Sequence, residues 1–285
     1  MTAARKNKIQ LSDGRTLAWT EWGDANGHPI LFCTGAGMSG SIGFGQDYLE
    51  KFGFRLIAID RPGFGGSSPH PQKTLLSWCE DIKEFFASRD LPTASTVGFS
   101  QGSVFAFALA AKKRVRSVAI VSGQDDFSDP TTKSLLHKSV QGFVESVQSK
   151  NQEFLDGFSR MANAEGLWQL ISAMSSAKDK ELYESEAFQK LYQHSLQEGF
   201  SRGSEAYVLD LVNSMIKWPF DLEDIECPVE IFYGSLDSST VHSPDFGFRM
   251  SKRIKHSSRK LFESEGGSLL WTQAEKILGS LVPRR

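Results

Sequence analysis

Cysteine is scarce in this chain. Its 285 residues include three, Cys33, Cys79 and Cys227, set far apart. Three scattered thiols do not make a disulfide framework and imply a reducing compartment. Long hydrophobic runs are missing too. No window approaches the ~18 apolar residues that a spanning helix needs. The start, Met1 to Lys8, is basic, but no apolar stretch follows it, so no secretory leader is expected. An excess of one charge sign is also lacking. Lys plus Arg number 32 and Asp plus Glu 34, a formal net charge of −2. That balance leaves no electrostatic footprint for nucleic acid or an anionic membrane. No Cys/His cluster has metal-ligand spacing. The glycines of Gly63-Phe64-Gly65-Gly66 lack the spacing and helix context of a dinucleotide loop. Neither metal nor cofactor is expected. There is no repeat and no low-complexity tract. The expectation is a cytoplasmic protein whose partner is a small molecule; the oligomeric state is left open.

What is present is an ordinary globular composition, 40% hydrophobic, long enough for a sizeable core. Asp13-Gly14 between two apolar segments, Lys8–Leu11 and Thr16–Trp22, predicts an opening hairpin. Pro29–Cys33, Phe54–Asp60, Val118–Val121 and Val229–Tyr233 are continuous apolar runs, as strands covered on both faces should be. Helical segments such as Thr74–Ser88 lie between them. Strands alternating with helices predict a mostly parallel sheet flanked by helices, the α/β class. Residues 128–220 break the rhythm. Apolar residues there recur at helical spacing, as in Leu167, Trp168, Ile171 and Met174. The expected organisation is therefore a core of residues 1–127 and 221–285, with an all-helical cap inserted at 128–220.

One segment carries chemistry. Gly98-Phe99-Ser100-Gln101-Gly102 follows the apolar run Ala94–Val97 and precedes a segment, Ser103–Ala111, that reads as a buried helix. Strand, tight turn and helix form a nucleophile elbow, in which the serine is held in strained backbone and its hydroxyl stands exposed. Small neighbours are needed to avoid a clash.

Four landmarks in order resemble the α/β-hydrolase family over nearly the whole chain. They are Thr34-Gly35-Ala36-Gly37 after a buried strand, the loop Asp60-Arg61-Pro62-Gly63-Phe64-Gly65-Gly66-Ser67-Ser68, the elbow at Ser100, and Tyr233-Gly234-Ser235-Leu236-Asp237. The resemblance implies that Ser100 is a nucleophile and Asp237 the triad acid. Asp125, after the preceding strand, is the reserve acid. The oxyanion hole would be made by the backbone N–H groups of Gln101 and Ala36. Thr34 stands where the family usually has histidine. Asp129, before Pro130, reads as a helix cap.

The expected base is missing. In the family it follows the last strand in a Gly-His motif, and here that position is Gly267. A neutral serine hydroxyl needs a base within hydrogen-bond reach. Of the six histidines, His242 lies five residues past Asp237 on the catalytic rim. It is the best replacement, provided its loop folds back onto Ser100. On this reading Gly267 is an empty base position, and a histidine placed there should supply or strengthen activity. Core packing accounts for most of the phenylalanines in and near the cap, Phe143, Phe154 and Phe158 among them, and a place in the wall of a substrate pocket is the alternative. The reading is a serine hydrolase of a small, largely apolar ester, lactone or related carbonyl compound. The alternative is a non-hydrolytic protein of the same fold, a small-molecule receptor or a lyase or isomerase.

Overall fold

A computed structural model describes residues 4–91 and 93–282. Eight strands form one sheet in the order β1-β2-β4-β3-β5-β6-β7-β8. They are β1 Arg5–Gln10, β2 Thr16–Gly23, β3 His28–Cys33, β4 Phe54–Ile59, β5 Ala94–Phe99, β6 Val115–Val121, β7 Val229–Gly234 and β8 Ser257–Phe262. Only β1 and β2 run antiparallel to their neighbours; from β4 across to β8 every pair is parallel. Such a sheet needs cover on both faces, and its central strands β4 and β5 are buried at every position.

The cover comes from α1 Gln46–Phe52, α2 Leu75–Ser88 and α3 Gly102–Ala111, and from three C-terminal helices described below. Thr74 caps α2 reciprocally with Ser77 in a capping box. Helix α3 is apolar on all sides and is buried from Gly102 to Ala110. It lies at the centre of the molecule, against β5 and β6. Between β6 and β7 the chain is helical: α4 Pro130–Leu135, α5 Lys138–Gln148, α6 Gln152–Met161, α7 Ala164–Met174, α8 Ala177–Tyr183, α9 Glu186–Gly199 and α10 Glu205–Met215. Asp129 accepts from the amides of Thr131 and Thr132 and so caps α4. These helices form the inserted cap of an α/β-hydrolase fold. After β7 come α11 Phe248–Arg253, β8, α12 Leu269–Thr272 and α13 Ala274–Ser280. No helix among the described residues is long and apolar enough to cross a membrane.

Phe143, Phe154 and Phe158 do not reach the cavity above Ser100. They pack on one another, with ring centroids 5.5 to 6.4 Å apart, and form a small core within the cap. Helical amphipathicity marks a buried face without saying what covers it, and here the cover is the neighbouring ring.

Candidate active site

Ser100 directly follows β5 and opens the turn into α3. Its φ is +52°, in the left-handed region that a side chain rarely adopts. The strain is held by neighbours: Ser100 N–H donates to the Val121 carbonyl at 3.2 Å, and its carbonyl accepts from Gln124 N–H at 3.0 Å. The flanking glycines are needed because backbones meet there. A Cβ on Gly102 would stand 2.0 Å from the Cys33 carbonyl oxygen, and one on Gly98 2.7 Å from the Ser103 Cα. The half-buried serine hydroxyl faces a cavity beneath the cap.

The loop after β7 does fold back. Asp237 Oδ1 accepts from Ser239 N–H at 3.1 Å, a turn that reverses the chain at once. Ser243 N–H then donates to the Gly123 carbonyl at 2.9 Å, and Ser243 Oγ donates to Asp125 Oδ2 at 2.7 Å. His242 is thereby held between two anchored ends of one loop. Its Nδ1 lies 2.7 Å from Asp237 Oδ2 and its Nε2 lies 2.9 Å from Ser100 Oγ. The imidazole is 8% exposed and rests edge-on to Phe99, ring centroids 6.4 Å apart. Carboxylate, imidazole and hydroxyl are thus in one hydrogen-bonded line. With Nδ1 protonated toward the carboxylate, Nε2 is left as the acceptor facing the serine.

Asp125, the reserve acid, is on the other side of that loop. It is 2% exposed and is occupied by Ser243 and by Asp126 N–H. Burial pushes its carboxyl up to about 6. Its contact is with the residue after the imidazole.

Gly267 also has a different part from the one its position suggested. A Cβ there would lie 2.9 Å from Asp237 Oδ1 and 3.1 Å from its Cγ. The loop after β8 therefore packs directly on the acid, and the space between acid and serine is already filled by His242. A histidine at 267 would collide with the carboxylate it was meant to use. The other histidines are elsewhere: His137 caps α5, and the exposed His194 lies 3.4 Å from Glu198.

Both expected oxyanion donors border the cavity. Among the described residues, neither Ala36 N–H nor Gln101 N–H donates to a protein acceptor. The Gln101 amide sits at the N-terminus of α3, where the helix dipole favours negative charge. The Thr34 hydroxyl donates to the Met38 carbonyl at 2.9 Å and closes the loop that carries Ala36.

The cavity measures ≈ 100 Å³. Its wall is mostly apolar and aromatic: Leu167, Leu170, Ile171 and Met174 from α7, Leu211 and Met215 from α10, with Phe99 and Val241 from the core. Tyr183, Tyr192 and Tyr207 line it as well, and none of their hydroxyls has a hydrogen-bond partner among the described residues. Among the described residues no lysine or arginine borders it. Asp179 is engaged by Ser176 and by Ser268 N–H.

Residues 28–237 match the family model for the alpha/beta hydrolase fold. The chain belongs to that family. Among curated relatives, a proline iminopeptidase of Arabidopsis thaliana is 28% identical over 103 residues, 35% of this chain and 27% of that protein. An (E)-2-((N-methylformamido)methylene)succinate hydrolase of Acinetobacter baylyi is 21% identical over 279 residues, 94% of each chain. Among solved structures, a bromoperoxidase from Bacillus anthracis superposes with a TM-score of 0.69 at 21% identity, covering 98% of each chain. An enol-lactonase from Burkholderia xenovorans superposes at 0.67 and 16% identity, covering 97% of this chain and 98% of that one. At such identities the likeness establishes the fold, and the chemistry has to be argued from the site.

Proposed function

We propose that this protein is a serine hydrolase acting on a small, neutral, largely apolar ester or lactone. The observation that carries the reading is the line Asp237–His242–Ser100, with contacts of 2.7 and 2.9 Å. Ser100 Oγ attacks the carbonyl as His242 Nε2 takes its proton. The Asp237 carboxylate fixes the imidazole tautomer and stabilises the imidazolium that forms. The amides of Ala36 and Gln101 receive the charge that develops on the carbonyl oxygen. His242 then returns the proton to the leaving oxygen, and a water molecule repeats the sequence on the acyl-enzyme. The wall, which has no lysine or arginine among the described residues, favours uncharged substrates, because a buried carboxylate would enter without a counter-ion. The small cavity favours a short acyl group.

The test is phosphonylation by a fluorophosphonate, followed by turnover of short p-nitrophenyl esters. The wild type should label and turn over, and Ser100→Ala should do neither. Equal labelling of the two proteins, or none in either, would sink the reading.

A further inference from the structure

A buried ion cluster ties the cap to the loop that carries Ala36. Arg61, Lys73 and Asp210 are 1%, 3% and 0% exposed. Asp210 comes from α10 in the cap, and the two cations come from the core. Arg61 Nε donates to Asp210 Oδ2 at 2.7 Å, and Lys73 Nζ lies 2.6 Å from Asp210 Oδ1. The rest of the Arg61 guanidinium grips the oxyanion loop. Nη1 donates to the Thr34 carbonyl at 2.6 Å, and Nη2 donates to the Gly35 carbonyl at 3.0 Å. The guanidinium lies over Phe64 and Phe105, 5.2 and 4.6 Å from the ring centroids.

The Gly35 carbonyl shares one peptide unit with the Ala36 N–H. That unit is planar and trans, so the two bonds point in opposite directions. A cation fixed on the oxygen therefore fixes where the N–H aims. It also polarises the unit, which makes the N–H a stronger donor. We infer that Arg61 is a positioning residue for the oxyanion hole, anchored from the cap by Asp210. This rests on the hydrolase reading above. Arginine is required because its rigid fork reaches acceptors on three residues, Asp210, Thr34 and Gly35; a lysine ammonium offers one point of charge and cannot hold the same set. Lys73 shares the anchor but not the loop. Its other partners are the Pro62 and Ala206 carbonyls.

The experiment compares Arg61→Lys with Lys73→Met in the full chain, by fluorophosphonate labelling rate and by kcat and KM on p-nitrophenyl acetate. Both variants damage the same cluster, and Lys73→Met leaves a neutral Arg61–Asp210 pair. Thermal melts locate a temperature at which all three proteins are folded. Outright loss of an oxyanion donor costs ~10²–10³ in kcat, so a loosened one in Arg61→Lys should cost at least ~10-fold in kcat and in labelling rate, with KM nearly unchanged. Lys73→Met should keep wild-type kcat. An Arg61→Lys protein as fast as wild type, or equal kcat losses in both variants, overturns the positioning role and leaves the hydrolase reading standing. A wild type that neither labels nor turns over overturns both.

Discussion

Adding one methyl group at Gly267 tests whether this glycine is a spacer for the acid. Its backbone lies outside the left-handed region, so alanine is sterically acceptable to the chain itself. The new Cβ would stand 2.9 Å from Asp237 Oδ1, against the 3.4 Å at which ordinary contact begins, so something must move by about 0.5 Å. The carboxylate is the neighbour that is struck, and it holds His242 Nδ1 at 2.7 Å and Ser239 N–H at 3.1 Å. A misplacement of ~1 Å costs ~10² in rate, so half of that should lower kcat ~10-fold in Gly267→Ala. KM should change less than kcat, because the methyl group, although Gly267 borders the cavity, is in contact with the carboxylate and not with the apolar side chains of the wall. Gly267→His should be slower still, since the larger side chain pushes harder on the same carboxylate. Steady-state hydrolysis of p-nitrophenyl acetate, with melting curves to verify folding, measures both. A Gly267→Ala protein at the wild-type rate, or a gain of activity in Gly267→His, would refute the argument.

His242→Ala should lower kcat by at least ~10²-fold with substrate affinity nearly intact, because a general base acts on the transition state; single-turnover and steady-state assays together would reveal a change confined to binding. Asp237→Asn should cost up to ~10⁴ in kcat by favouring the wrong imidazole tautomer, and a loss under tenfold would speak against the carboxylate's role. Asp125 gives a pH prediction. Its carboxyl, pushed up to about 6 by burial, holds its proton more tightly in the folded chain than in the unfolded one. The folded state therefore carries more protons between about pH 4 and 6, and stability falls as pH rises through that window. The loss by neutral pH is on the order of 2–3 kcal/mol. Asp125→Asn keeps an acceptor for the Ser243 hydroxyl and removes the titration, so its urea midpoint should exceed that of wild type at pH 7 and converge with it near pH 4. Parallel pH profiles for the two proteins would count against it.

The elbow was legible because it is local. Gly98, Ser100 and Gly102 lie within five residues, and the strand and helix on either side have unmistakable compositions. The sheet was legible for the same reason, since strands buried on both faces read as continuous apolar runs. His242 could be singled out by its place after Asp237, but its contact with Ser100 spans 142 residues and depends on how Ser243 meets Gly123 and Asp125. Gly267 misled in an instructive way. A glycine in a sequence reads as something missing, whereas in the fold it is the room that Asp237 occupies. The Arg61–Asp210 contact was out of reach altogether: 149 residues separate a core loop from a cap helix, and no periodicity relates them.

Asp237 and His242 also share one short loop, five residues apart. A base at position 267 would close about thirty residues of chain onto the same carboxylate. Loop-closure entropy grows as the logarithm of length, so the shorter circuit lowers the cost of pairing them by ~1.5 kcal/mol. The Asp237–His242 pair is thus a local contact within one turn, made without any residue of β8 or of the helices after it. β8 is the edge strand of the sheet, exposed at Ser258, Lys260 and Leu261. Fraying of that edge would release Gly267 from Asp237, yet it would leave the carboxylate and the imidazole on the same short tether. The C-terminal edge can therefore breathe without parting Asp237 from His242.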